Sequence, residues 1–266
     1  MISPLAYIDP EAKIGKNVTV HPFAYIDKNV EIGDNCTIMP YASILSGTRM
    51  GAGNTIYQGA IIGATPQDFK FKGEDTLLKI GNQNTIREKV IINRGTAQSD
   101  STIIGDGNFL LEGVHLAHDT HVGNNCVFGN GAKTAGNCIV DDRAILGSGV
   151  ILKHACRVGR WALVRDGCRS SKDIPPYIVA DHNPITYYGI NAVILAKEGH
   201  FPEELIDNIA KAYRQIYQCG TSLENAIRRI RELIPITSEL EYMLSFIEHS
   251  GKGIIGVNIR FFVFRE

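Results

Sequence analysis

Residues 1–62, MISPLAYIDPEAKIGKNVTVHPFAYIDKNVEIGDNCTIMPYASILSGTRMGAGNTIYQGAII, carry an aliphatic residue or Met at every sixth position: Ile2, Ile8, Ile14, Val20, Ile26, Ile32, Ile38, Ile44, Met50, Ile56 and Ile62. Neither the 3.6-residue helix period nor the two-residue strand period produces this column, so the chain turns a corner every six residues. The phase persists through Ile80, Ile86, Ile92, Ile104, Leu110, Leu116, Val122 and Phe128 as far as Val164, with Thr134 as a polar member. It lapses around 65–77 and 94–102, two polar stretches that read as loops pushed out of a continuing coil.

A second column of small residues lies two positions earlier, among them Ala6, Ala24, Cys36, Ala42, Cys126, Ala132, Cys138 and Ala144. Positions two apart share a strand face, so each unit directs one small and one larger side chain inward. Glycine often follows the larger residue, as at Gly15, Gly33, Gly51, Gly105 and Gly123, and is expected to serve tight or left-handed corners. Three short strands close a triangular coil, and coils stack about 4.8 Å apart as parallel sheets. The expected fold is mainly β, a parallel β-helix.

The coil is expected over residues 1–190, including a Pro-containing crossover after about Ser170, SKDIPPYIVADHNPITYYG. A helical domain follows over 191–252. Phe201 to Gln218 has helical spacing, Thr221 with Glu224 forms a capping-box pattern, and Ser238 with Glu241 forms another, predicting three helices. The segment 253–266 is left unassigned.

The chain has 266 residues and 44% hydrophobic composition, enough for a large core without disulfide staples. A net charge of −1 gives no general attraction to nucleic acid or anionic membrane. No apolar run is long enough for a transmembrane segment, and the N-terminus lacks the pattern of an export signal, so a cytoplasmic protein is expected. Five of six cysteines share the inward phase and read as core fillers rather than metal ligands or disulfide partners. Outward apolar residues such as Tyr25 and Ile61 point to a wall covered by a partner, for which a homotrimer of prisms is the expected arrangement.

The segment Glu112–Gly123, EGVHLAHDTHVG, concentrates the titratable residues. His115, His118 and His121 lie half a hexad apart and cannot share one face, which argues against a three-histidine metal site. His118 and Asp119 fall at a corner. One coil of eighteen residues later lies Gly136, and a second coil later His154. A histidine base beside an accessible backbone N–H suits acyl transfer from a thioester: one takes the hydroxyl proton, the other meets the developing oxyanion. The alternative is that these corner histidines only cap turns at a solvated surface.

Together the hexad coils, HLAHD, IGATPQDFKFKG, NTIREKVIINRGT, DIPPY and the tail beginning YGIN resemble the UDP-N-acetylglucosamine acyltransferases over nearly the whole chain. The resemblance implies a left-handed coil, whereas ordinary crossover geometry favours the right-handed sense. It further implies a cytoplasmic trimer that begins lipid A synthesis. Its members move a 3-hydroxyacyl group from the phosphopantetheine of acyl carrier protein to the 3-hydroxyl of UDP-N-acetylglucosamine, with no tightly bound cofactor or metal.

On that pattern His118 matches the general base, Asp119 its orienting partner and Gly136 the oxyanion donor. Gln67, Asp68 and Lys70 match a loop gripping the nucleotide sugar and the acyl-phosphopantetheine, and His115 and Asn191 match substrate contacts. Arg87 reads as structural or nucleotide-facing. Several positions depart from the pattern. Asn137 and Lys153 stand where relatives carry histidine, His154 where they carry Gln, and Lys197 with Glu198 where they carry two arginines. Arg165 and Asp166 replace glycines at the end of the acyl groove and are expected to shorten it, because burying them unpaired is costly. These departures leave room for an N-acyltransferase acting on a nucleotide amino sugar, or for a catalytically silent trimeric paralogue that binds carrier protein.

Overall fold

The computed structural model describes residues 1–257. Among these, three parallel sheets of nine, eight and ten strands form the walls of a β-helix, with an antiparallel strand ending the third. The first wall runs from Tyr7–Ile8 to Arg169–Ser170, the second from Lys13–Ile14 to Arg157–Val158, and the third from Thr19–Val20 to Leu163–Val164. A typical strand is two residues long, an outward residue followed by the inward one, as in Tyr25–Ile26. On the first wall Ile26, Ile44, Ile62, Ile92 and Leu116 stack in register and are fully buried. Burying each such side chain stabilises the coil by about 1.5–3 kcal/mol relative to exposure, which is why the hexad column must be apolar.

From Asn17 onward the regular corners each contain one residue in the left-handed region, repeating every six positions through Asn17, Phe23, Asn29, Asn35 and Tyr41 and later through Asp119, Asn125 and Asn137. The glycines that follow the inward residue do not fill this role. With the exception of Gly63, those at Gly15, Gly33, Gly51, Gly105 and Gly123 lie outside the left-handed region. Crowding between coils selects them instead: a Cβ on Gly33 would stand 2.6 Å from the carbonyl carbon of Gly51 one coil on.

The two phase lapses are insertions whose lengths are multiples of six. Ordinary coils pair residues eighteen apart, as Tyr25 with Ser43. Ile62 instead pairs with Ile92 and Leu78 with Thr48, and Ile103 pairs with Lys79. The first insertion therefore adds twelve residues and the second six, so the hexad phase resumes unaltered beyond each. Both insertions leave the same edge of the prism, the one joining the first wall to the second: one between Ile61–Ala64 and Leu77–Ile80, the other between Ile91–Asn93 and Ser101–Ile104.

Beyond the last coil, Ile178–Asp181 continues the third wall and pairs with Thr186–Ile190. Four helices follow rather than three: α1 (Ala192–Lys197), α2 (Glu203–Tyr217), α3 (Leu223–Leu233) and α4 (Ser238–Glu248). The additional α1 is six residues long, too short for a periodic pattern to show. The caps are displaced by one position from the expected ones. Ser222 accepts from the N–H of Asn225, and Thr237 from that of Leu240. In each case two hydroxyl residues are adjacent and the chain uses the one with extended backbone, leaving Glu224 and Glu241 in the first turn, where the helix dipole favours them. Hydroxyl groups tie this layer to the coil: Tyr213 donates to the Pro176 carbonyl at 2.6 Å and Tyr242 to Asp141 at 2.5 Å. Of the unassigned terminal segment, Ile254 bridges Asp173 and Val257 bridges Tyr187; residues 258–266 lie outside the described residues.

The five inward cysteines are buried and unpaired with one another, as a core-filling role requires. Burial pushes the thiols of Cys126 and Cys138 up to about 12, so they do not ionise at neutral pH.

Candidate active site

The edge that carries both insertions also carries His118, Gly136 and His154 on successive coils, because the corners at 117–120, 135–138 and 153–156 all join the first wall to the second. His118 is held from one side. Its Nδ1 lies 2.7 Å from Oδ2 of Asp119, which occupies the left-handed corner position and is only 3% exposed. Asp119 also accepts from the backbone N–H of Thr96 at 2.8 Å, from the Thr96 hydroxyl at 2.7 Å and from the Ser99 hydroxyl. Burial alone would raise the carboxyl pKa, but these bonds from His118, Ser99 and Thr96 outweigh it and hold the group below the usual carboxylate range. The ionised carboxylate can only accept, so the imidazole proton belongs on Nδ1 and the lone pair on Nε2.

Nε2 faces the first insertion. Oδ2 of Asp68 lies 4.0 Å away, too far for a direct hydrogen bond but close enough for one hydroxyl oxygen to bond both. Asp68 is fixed by its own turn: Oδ1 accepts from the Lys70 N–H at 2.9 Å and its carbonyl from the Phe71 N–H at 3.0 Å.

Gly136 covers the other face of the ring. A Cβ there would stand 2.5 Å from Cε1 and 2.7 Å from Nε2 of His118, so any side chain would displace the imidazole. Its N–H carries no side-chain cap. At several corners of the other edges the same group is capped by a side chain one coil on, Lys16 by Asp34, Asn82 by Asp106, Asn124 by Asp142 and Ser148 by Asp166, at 2.6–2.8 Å. The residue one coil beyond Gly136 is His154, not Asp or Asn. Among the described residues no coil-to-coil backbone bond uses the Gly136 N–H, although its neighbours Ala135 and Asn137 donate to Leu152 and His118. An uncapped N–H beside Nε2 is the donor an oxyanion requires.

The remaining expected residues divide by edge. Gln67 and Lys70 are exposed on the first insertion. His115 lies on the adjoining first wall opposite Lys133; burial, then the lysine charge, lower its pKa and keep it neutral. Asn137 takes the left-handed corner after Gly136, with its N–H on the His118 carbonyl at 3.1 Å. Lys153 and His154 are exposed farther along the same edge, where Lys153 with Arg169 and Lys172 lines a cavity of about 470 Å³. His121 belongs to the second wall, so the three histidines of this segment do not converge.

Four expected residues are not brought to this edge within one chain. Asn191 is buried at the N-terminus of α1, donating to the Trp161 carbonyl at 3.0 Å beside the edge between the second and third walls, and Lys197 ends that helix. Arg165 and Asp166 occupy the edge between the third and first walls. Both are exposed and partnered: Arg165 pairs with Asp181 at 2.6 Å and covers the Tyr188 ring at 4.4 Å, while Asp166 caps Ser148. Arg87, on that same edge, pairs with Glu88 at 2.9 Å and stacks on Tyr57, a structural arrangement.

Thr96, Ser99 and Thr102, whose hydroxyl accepts from the Asp119 N–H at 2.9 Å, are absent from the residues expected from sequence. Their signal was arithmetic. Counting coil phase places both insertions on the edge of His118, where a polar insertion has something to hold.

A family model described as UDP-N-acetylglucosamine O-acyltransferase, domain 2, matches residues 173–255, and one described as bacterial transferase hexapeptide (six repeats) matches 29–64 and 101–136. The acyl-[acyl-carrier-protein]–UDP-N-acetylglucosamine O-acyltransferase of Janthinobacterium sp. (strain Marseille) is 45% identical over 260 residues, covering 96% of this chain and 99% of that protein. Its namesake from Alkalilimnicola ehrlichii is 44% identical over 255 residues, covering 96% and 98%. Among solved structures, the UDP-N-acetylglucosamine acyltransferase from Bacteroides fragilis 9343 matches with a TM-score of 0.95 at 54% identity, covering 96% of this chain and 100% of that one. That from Acinetobacter baumannii matches with a TM-score of 0.92 at 33% identity, covering 96% and 99%. The coil is thus the left-handed parallel β-helix of hexapeptide-repeat transferases. With its stacked histidine corner and a likeness that runs the length of the chain, the protein belongs to the UDP-N-acetylglucosamine acyltransferase family.

Proposed function

We propose that this chain transfers a 3-hydroxyacyl group from acyl carrier protein to the 3-hydroxyl of UDP-N-acetylglucosamine, the first reaction of lipid A synthesis, as a cytoplasmic homotrimer. The observation that carries the reading is the juxtaposition of His118 Nε2 with the uncapped backbone of Gly136 on the next coil. In the reaction Nε2 removes the sugar hydroxyl proton as the oxygen attacks the thioester carbonyl. The tetrahedral oxyanion receives the Gly136 N–H. Collapse breaks the carbon–sulfur bond, and the imidazolium returns its proton to the departing phosphopantetheine thiolate. Asp119 keeps the base in the tautomer that exposes Nε2, and Asp68 orients the acceptor hydroxyl from the other side.

No tightly bound cofactor enters this scheme; the acyl-phosphopantetheine arrives with its carrier as co-substrate. The relatives' names specify the O-acceptor, which favours this reading over N-acylation and over a silent paralogue. In the trimer a neighbouring copy supplies Asn191 and Lys197 to the nucleotide, and Arg165 and Asp166 to the acyl end of each cleft. Mass spectrometry of UDP-N-acetylglucosamine incubated with the protein and a panel of acyl carrier proteins tests the assignment. Acylated sugar nucleotide should form, and His118→Ala should lower kcat/KM by about 10³-fold with an unchanged Tm. Absence of product with every carrier, or full turnover by H118A, would reject it.

A further inference from the structure

The second insertion adds six residues to one coil, and the hydrogen bonds it makes inside the site all go to one group. Thr96 and Ser99 between them place three donors on the Asp119 carboxylate, two on Oδ1 and one on Oδ2, the oxygen that also faces His118 Nδ1. The loop is closed on itself: the Asp100 N–H donates to the Thr96 carbonyl at 2.9 Å, and a Cβ on Gly95 would stand 2.5 Å from the Ser101 nitrogen. The Ser99 hydroxyl has a second acceptor in the Ser101 carbonyl at 3.2 Å, and its bond to the carboxylate is the shorter.

We infer that the second insertion is a carboxylate clamp, with Thr96 and Ser99 as positioning residues that set the tautomer and the basicity of His118 by sharing the charge of Asp119. This inference deepens the proposed acyl transfer and rests on His118 being its base. A carboxylate that gives all its lone-pair directions to His118 and three other donors is a weaker partner for an imidazolium than one bonded to His118 alone. The clamp therefore keeps Nε2 unprotonated to lower pH than Asp119 alone would allow, while locking the ring plane toward Gly136. The other charged groups around the ring are Asp68 from the first insertion, Arg94 one coil below, and Lys153 with His154 two coils above. Arg94 is directed away, toward the Ser46 carbonyl and the Phe71 ring.

The test compares S99A, T96V and S99T with the parent protein in two measurements. In the pH dependence of kcat/KM, the acid limb should move upward by about half a unit to one unit in S99A, further in T96V, and return in S99T. Below the limb the loss is correspondingly about threefold to tenfold. In ¹⁵N spectra of histidine-labelled protein without substrate, the titration of the His118 ring should move in the same direction. Lowered Tm with an unmoved limb and an unmoved ring titration in both variants would overturn the clamp. Because the spectra need no turnover, a protein that proves inactive would sink the proposed reaction while still deciding this inference.

Discussion

Two edges of the same prism, built from the same hexad, do different things. On the edge between the second and third walls, Asp34, Asn82, Asp106, Asn124 and Asp142 cap the corner N–H groups of the coils before them, forming a polar ladder interrupted at Ala52. On the edge between the first and second walls the corresponding positions are His118, Gly136 and His154, and the ladder is missing. Capping satisfies a donor and steadies a turn; leaving it open keeps a donor for a ligand. The edge between the third and first walls also lacks most of these caps, so what sets the first-to-second edge apart is the glycine stacked on a histidine at the open position.

The largest expected effect comes from filling the gap over the ring. Gly136→Ala should push the imidazole away and lower kcat by about 10³-fold, with little change in Tm, because the added methyl meets only a side chain. If G136A retains parental kcat, the stacked pair is not the reacting centre. A subtler variant converts the open corner into a stapled one. In His154→Asp the carboxylate should reach the Gly136 N–H as Asp166 reaches Ser148, lowering kcat about 10²-fold while raising stability by about 1 kcal/mol in denaturant unfolding. A loss of activity with no gain in stability would argue that the two edges are not equivalent in geometry. The smallest effect is expected on the ladder itself: Asp34→Ala should cost about 1 kcal/mol of stability and leave kcat/KM unaltered, since Asp34 caps Lys16 several coils below both His118 and Asn191. A kinetic defect in D34A would break the division of labour between edges.

The stacking of Gly136 on His118 was readable before the fold because the coil converts sequence spacing into height. Eighteen residues separate His118 from Gly136, and a triangular coil of three hexads can only set one above the other. The clamp was not readable in that way. Thr96 and Ser99 belong to a segment with no period of its own, so nothing in their spacing says which atoms they approach. The misassigned caps have a related cause: Thr221 and Ser222, like Thr237 and Ser238, offer competing hydroxyls, and backbone direction at the domain boundary chooses between them.

From sequence alone came the hexad coil, its inward columns, the corner position of His118 and its partner one turn away, since a regular repeat carries its geometry in its period. Tertiary structure decided what the aperiodic insertions hold, which edge each polar residue reaches, and which partners Arg165 and Asp166 take. Those outcomes depend on contacts between segments whose separation along the chain has no fixed relation to their separation in space.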